Sequence, residues 1–214
     1  MTVGQTRAWE RHWPTLGKDI ADLPAGPLDL DGWFGRSAPV LLEIGSGMGE
    51  TTAALAEAAP DLNYLAVDVY PPGLAQLMMR AETAGLTNLR VLRGDAVVLL
   101  EQHLPDQSLS GVRIYYPDPW PKKKHHKRRL VQPSLVSVVA KRLVPGGTLH
   151  LATDWEHYAE HMMEVCSAEP HLRNRYPDEP GGWAPRPPWR PLTKFESRAD
   201  NEGRVSRDLI FERV

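Results

Sequence analysis

Cysteine is nearly absent from this 214-residue chain: Cys166 is the only one. A lone thiol excludes an internal disulfide and any thiolate-rich metal site, and fits a reducing, intracellular setting. Long apolar runs are missing as well. Nothing approaches the roughly 18–20 apolar residues that a membrane-spanning helix needs, and the opening Met1-Thr2-Val3-Gly4-Gln5 has no apolar signal core. A soluble, cytoplasmic protein without a membrane partner is expected. There is no overall basic excess, since 25 Lys and Arg stand against 27 Asp and Glu, and no internal repeat. At 42% hydrophobic content the chain has material for one sizeable core, and nothing forces a second domain.

What the chain has instead is one concentrated basic stretch. Lys122-Lys123-Lys124-His125-His126-Lys127-Arg128-Arg129 contains no acidic residue, which is the electrostatic footprint expected for a phosphate backbone. The acidic remainder limits unspecific sticking, so a nucleic-acid partner meets one patch. Immediately before it, Ile114-Tyr115-Tyr116 runs into Pro117-Asp118-Pro119-Trp120-Pro121. Proline fixes φ near −65° and restricts the residue before it, so alternate prolines hold Asp118 and Trp120 in a narrow range of directions. A carboxylate held that stiffly suits a reacting centre.

Residues 1–38 carry Trp9, Trp13, Trp33 and Phe34 between turn formers and show no sustained strand pattern; they read as an arm or short helix leading into a single domain over 39–214. The apolar run 39–44 predicts a central strand buried on both faces, and Gly45-Ser46-Gly47-Met48-Gly49 turns it into a helix over 50–59. Further strands are expected at 63–69, 89–92, 112–116 and 148–152, with helices at 72–84, 133–143 and 155–168 and a short one before His103. This alternation predicts an α/β protein with a mostly parallel sheet and helices on both faces. Six prolines with Trp183 and Trp189 in 177–191 read as an ordered loop. A final antiparallel strand over 204–214 is expected to pair with one around 191–196.

The acidic residues cluster by this reading. Glu43, Asp68, Asp95, Asp118 and Asp154 fall within or just beyond the carboxyl ends of strands, the edge where open α/β sheets bind ligands. The glycine turn brings backbone close to a ligand and points helix amides at it. Asp68 stands where a carboxylate can accept both hydroxyls of a ribose diol, although Asp68 and Asp95 both suit the plainer role of a helix N-cap. His157 and His161 stand four apart on a helix without the Glu that a zinc-protease motif places after the first His. They belong to a polar helix face, and no metal is expected.

With Glu43 two residues before Gly45, the spacing Gly45-x-Gly47-x-Gly49 resembles the first motif of class I S-adenosylmethionine-dependent methyltransferases more than a nicotinamide fingerprint. Pro117-Asp118-Pro119-Trp120 with its basic run, Thr193-Lys194-Phe195-Glu196 and Asp154 together resemble bacterial tRNA (guanine-N7-)-methyltransferases of the TrmB type over nearly the whole chain. The resemblance implies a Rossmann-like fold and S-adenosylmethionine as cofactor, held by Glu43, Gly45, Gly47, Gly49, Asp68, Asp95, Ala96 and Asp118, with Asp118 catalytic. It implies tRNA as partner, gripped by Lys122, Lys124, His125, His126, Lys127, Arg128, Arg129, Asp154, Thr193, Lys194, Phe195 and Glu196, and methylation of the variable-loop guanine at position 46. Members of that family usually carry a further basic segment before the stretch that opens this chain. A monomer or homodimer is expected. Two other readings fit parts of the pattern: an amino-group methyltransferase, from Asp-Pro-Trp after a strand, and a non-catalytic RNA-binding protein on the same fold.

Overall fold

The computed structural model describes residues 1–214. Helix α1 (Val3–Leu16) opens on a capping box in which Thr2 accepts from the Gln5 amide and Gln5 returns the bond. Trp9 and Trp13 stack on it at 3.9 Å. The edge strand β1 (Gly17–Asp19) and helix α2 (Leu30–Phe34) follow. Two αβ repeats come next: β2 (Val40–Ile44), α3 (Glu50–Ala58), β3 (Asn63–Asp68) and α4 (Pro71–Thr83). Then come β4 (Leu89–Arg93), the single turn α5 (Ala96–Val98) extended by a π-helical turn to His103, and β5 (Leu109–Tyr115). The chain closes with α6 (Pro133–Arg142), β6 (Leu143–Thr153), α7 (Glu156–Ser167), β7 (Leu172–Asn174), α8 (Lys194–Asn201) and β8 (Arg207–Arg213).

The eight strands form one sheet in the order β1-β4-β3-β2-β5-β6-β8-β7. Strands β1 to β6 pair in parallel, and β8 pairs antiparallel with both β6 and β7. The order reverses between β2 and β5, so a crevice opens beyond the carboxyl ends of those two strands. The α/β expectation with a mostly parallel sheet and an antiparallel C-terminal strand holds. The partner assigned to that strand does not: the stretch around 191–196 enters a helix, because the Thr193 hydroxyl accepts from the Glu196 amide and caps α8. The N-terminal 38 residues are tied to the body of the fold. Helix α1 packs on α4, β1 pairs with β4, and Asp19 is bonded to Arg93.

Alternating side chains build two cores. Leu42, Val67, Val112, Leu149 and Phe211 point to a large cluster of 31 buried residues, shared with α6 and α7. Leu41, Tyr64, Ala66 and Val91 point to a smaller one of 12, under α3 and α4. On that second face the apolar cover ends at β2. The next strands present Arg113, His150 and Asp208 there, beneath the segment holding Trp189 and Arg190.

Candidate active site and nucleic-acid interface

Gly45, Gly47 and Gly49 all have positive φ, at 79°, 55° and 72°, a region that costs glycine little. A Cβ at Gly49 would lie 2.5 Å from Leu77, so this turn also seats α3 against α4. Asp68 fastens the turn to the next strand, its two oxygens accepting from the Gly47 amide at 2.8 Å and the Tyr70 amide at 2.9 Å. Each carboxylate oxygen keeps a second lone pair for a ligand hydroxyl. Asp95 caps α5 through Oδ1 to the Val97 amide at 2.8 Å, which frees Oδ2, and Ala96 is buried beside it. The cap reading and the ligand reading of Asp95 are thus compatible.

A cleft of about 750 Å³ runs between these groups, from Gly45 and Asp68 past Asp95 to Tyr116, Asp118 and Trp120. Its volume lies in the range of about 300–1,000 Å³ that holds a ligand of cofactor size. A second cavity of about 310 Å³ continues from it under the glycine turn to Glu43, Thr193 and Phe195. Glu43 is 5% exposed, and burial raises its carboxyl to about 7, with Thr52 and Arg113 pulling the other way. Its Oε2 has no hydrogen-bond partner. A buried, unmatched carboxylate oxygen at the floor of a cavity is a receptor for an ammonium group. The free lone pairs on Asp68 and the backbone approach at the glycine turn suit a ribose and its neighbours. The residues present fit S-adenosylmethionine.

Asp118 is exposed between two residues in the left-handed region, Tyr116 at φ 51° and Trp120 at φ 44°. For side chains of this size such angles are strained and cluster at functional sites. The strain is held from behind. The Tyr116 amide donates to Ala152 O, its hydroxyl donates to Ser206, and its ring stacks on Phe195 with centroids 6.1 Å apart. Arg129 holds the other side, donating through Nε to Pro119 O at 2.9 Å and covering the Tyr158 ring at 4.7 Å. Trp120 packs against the basic segment, with the Arg128 guanidinium 5.0 Å over its ring and His125 at 5.8 Å.

The basic run winds into a 3₁₀ segment, Lys123–Arg128. Lys122, Lys124, Lys127 and Arg128 are exposed, while His125 and His126 are half-buried. Arg129, expected to face a phosphate backbone with the rest of the run, differs from its neighbours in burial. It is only 5% exposed, and its Nε and Nη1 donate to the main-chain oxygens of Pro119 and His157, which ties it to the Asp118 turn.

Of the C-terminal candidates, Lys194 and Phe195 are exposed at the rim, and Lys194 reaches Glu50 on α3 at 3.3 Å. Thr193 and Glu196 are buried. Glu196 is occupied by Arg186 and Arg190, and these cations hold its carboxyl below the usual range despite burial. Asp154 is tied to Arg204 at 2.7 Å. Sequence reasoning missed Arg190, a fully buried arginine that joins Glu196, Asp208 and the Tyr116 hydroxyl. No local pattern signals it, because its partners come from three separate segments, one far earlier in the chain and two later. No cluster of His, Cys, Asp or Glu is placed to hold a metal ion, and no helix is long and apolar enough to cross a membrane.

Comparison with known proteins agrees with this geometry. The family model described as "Putative methyltransferase" matches residues 37–209. A tRNA (guanine-N(7)-)-methyltransferase of Streptomyces avermitilis is 52% identical over 214 residues, covering 100% of this chain and 72% of the relative. One from Chromohalobacter salexigens is 49% identical over 214 residues, covering 100% of this chain and 86% of that one. Among solved structures, the aminoglycoside resistance methyltransferase NpmB1 superposes with a TM-score of 0.57 at 16% identity, covering 87% of this chain and 92% of that one. That likeness speaks for the fold alone. With the cofactor cleft at the sheet's reversal point and identity near one half along the whole chain, this protein belongs to the tRNA (guanine-N(7)-)-methyltransferase family.

Proposed function

We propose that the protein transfers the methyl group of S-adenosylmethionine to N7 of a guanine in tRNA, at position 46 of the variable loop, in the cytoplasm. The observation that carries this reading is the continuity of the cleft. Its inner half is lined by Gly45, Asp68 and Asp95, and its outer half by Asp118, Trp120 and Arg128, the last an exposed cation of the basic run. When bound, the cofactor supplies an electrophilic methyl on a sulfonium.

The chain's own residues do the placing. Asp68 receives the ribose hydroxyls, Asp95 with Ala96 flanks the base, and Glu43 takes the amino group. Guanine N7 carries an in-plane lone pair and no proton, so no general base is required. Holding it in line with the methyl is where proximity effects of about 7–11 kcal/mol arise. Positive charge develops on the purine during transfer, and the fixed Asp118 carboxylate favours that charge electrostatically.

Lys122, Lys124, Lys127 and Arg128 neutralise backbone phosphates, and His125 and His126 offer hydrogen bonds beside them. Their contacts offset the few kcal/mol of exposing a base engaged in tertiary structure. Phe195 offers a ring at the rim. Thr193 and Glu196 serve by fixing the helix that carries it, and Asp154 by fixing Arg204. The test is incubation with labelled S-adenosylmethionine and unmodified bulk tRNA, followed by identification of the methylated nucleoside. The reading requires 7-methylguanosine; a methylated exocyclic amine, or no transfer, refutes it.

A further inference from the structure

Arg113 occupies an unusual place for an arginine: mid-strand on β5, on the sheet face where the smaller core gives out. Its guanidinium lies between two rings, 5.6 Å from the centroid of Tyr64 and 5.0 Å from that of Trp189. The planar group is fixed by that sandwich. Yet no carboxylate forms an ion pair with it, and its Nη1 is buried without a hydrogen-bond partner. An unmatched buried guanidinium nitrogen carries a desolvation cost that a bound acceptor would relieve.

The space beside it is built to supply one. A cavity of about 250 Å³ is lined by Arg113, Arg175 and Arg186, with Thr148, Tyr176 and Trp189, and no carboxylate is among its lining residues. Arg186 is already bound by Glu196 and contributes field. Arg175 reaches Glu212 only at 3.4 Å, which leaves its remaining donors free. His150, also in the wall, is held neutral by burial and points its ring nitrogens at Tyr115 and Asp208. The lining thus brings together guanidinium, hydroxyl and phenol groups (Arg113, Arg175, Thr148, Tyr176). Several donors and no carboxylate suit a phosphate, which carries more charge and more acceptor oxygens than a carboxylate.

We infer that this cavity is a phosphate-binding site separate from the cofactor cleft, with Arg113 as its central donor. The phosphate arrives either on an RNA backbone or as a small phosphate ester, and the same residues serve both. This inference does not depend on the methyl-transfer reading, which is scored by the modified nucleoside.

The test compares the parent protein with Arg113→Gln and with Arg175→Gln, a rim position that is 49% exposed and safe for folding. Inorganic phosphate is titrated at constant ionic strength and followed by ³¹P line broadening and by melting temperature. A Lys127→Ala/Arg128→Ala protein controls for the basic run. The parent and the control should bind phosphate saturably, and Arg113→Gln about tenfold or more weakly, the scale of removing one charge-assisted hydrogen bond. Arg175→Gln should fall between them.

Unmodified tRNA then separates the sources. Weaker tRNA affinity in Arg113→Gln with a shallower salt dependence identifies a backbone phosphate, whereas unchanged tRNA affinity with abolished phosphate binding identifies a small ester. Equal phosphate binding by the parent and both variants overturns the inference. So does a parent that binds no phosphate together with tRNA affinity unchanged in Arg113→Gln.

Discussion

Glu43 and Arg113 are register partners across β2 and β5, yet a buried atom of each, Oε2 and Nη1, lacks a hydrogen-bond partner. Opposite charges stand side by side on one sheet face without closing an ion pair. Each lines a different cavity, the one under the glycine turn for Glu43 and the arginine-lined one for Arg113. The two cavities are thereby electrostatic neighbours.

The first prediction concerns pH. Burial raises the Glu43 carboxyl from 4.5 to about 7, so the folded chain holds this proton more tightly than the unfolded chain does. The associated stability is fully present below about pH 4.5 and is lost as pH rises through about 7, a swing of about 3 kcal/mol. Glu43→Gln removes that slope. Urea midpoints of parent and variant from pH 4.5 to 8 should therefore diverge. Cofactor affinity should move the other way in the parent, weakening as pH falls below 7, and should be weak and flat in the variant. Parallel midpoint curves would show that Glu43 titrates normally.

The second concerns Asp68, which accepts two backbone amides and faces the cleft. Asp68→Ala should weaken S-adenosylmethionine binding by about 1–3 kcal/mol, the scale of hydrogen bonds to a charged group. Part of that loss comes from a loosened glycine turn. Calorimetry on parent and variant reads it directly, and unchanged affinity would remove Asp68 from the site.

The third separates two kinds of cation within one run. Lys127→Ala/Arg128→Ala should lower tRNA affinity and flatten its salt dependence, by up to about one log–log unit for each phosphate no longer neutralised, with little change in melting temperature. Arg129→Ala should do the reverse, destabilising the fold by about 1–3 kcal/mol through the main-chain acceptors it abandons. A salt slope altered by Arg129→Ala as strongly as by the double variant would show that Arg129 also meets RNA.

That distinction marks the limit of what is legible in the sequence. The central parallel strands show as short apolar runs before glycine or aspartate, whereas the edge strand β1, Gly17-Lys18-Asp19, has no apolar pattern to show it. The cleft follows, because an α/β alternation puts strand ends on one edge. Other features stay hidden, each for its own physical reason. Arg129 reads like its neighbours, and only the path of the turn buries it. Helix α8 is masked because Thr193-Lys194-Phe195-Glu196 has an alternation that also suits a strand, and its capping threonine shows as a cap only once the helix is seen. Arg113 is visible as a charge inside an apolar strand, but its meaning needs Tyr64 and Trp189 from distant segments.

The fourth prediction follows from Arg190, whose pairing with Asp208 and Glu196 is fully buried. Arg190→Met should destabilise the protein by about 3–5 kcal/mol, because it leaves the buried Asp208 without a guanidinium and Glu196 with Arg186 alone. A triple change that also converts Asp208→Asn and Glu196→Gln should recover much of the loss. If Arg190→Met melts like the parent, this network is not what anchors α8 and Phe195 at the cleft.

The last prediction concerns Asp118, whose position between two left-handed residues and beside Arg129 leaves its carboxylate exposed at the cleft while its backbone is fixed. Asp118→Asn keeps shape and hydrogen-bonding capacity but removes the negative charge that favours a purine becoming cationic. At saturating tRNA and cofactor, the single-turnover rate should fall by roughly 10²–10³, the scale for one preorganised electrostatic group. Affinity for tRNA should change little, since the phosphate contacts proposed above lie in the run from Lys122 to Arg128. If the carboxylate acts mainly by gripping the guanine edge, Asn retains part of that contact and Ala retains none, so the two variants should separate in rate and in the affinity for the reactive base. Equal, severe losses in both point to charge. Parent-like rates in both would leave the strained turn without a chemical role and move the reacting centre elsewhere in the cleft.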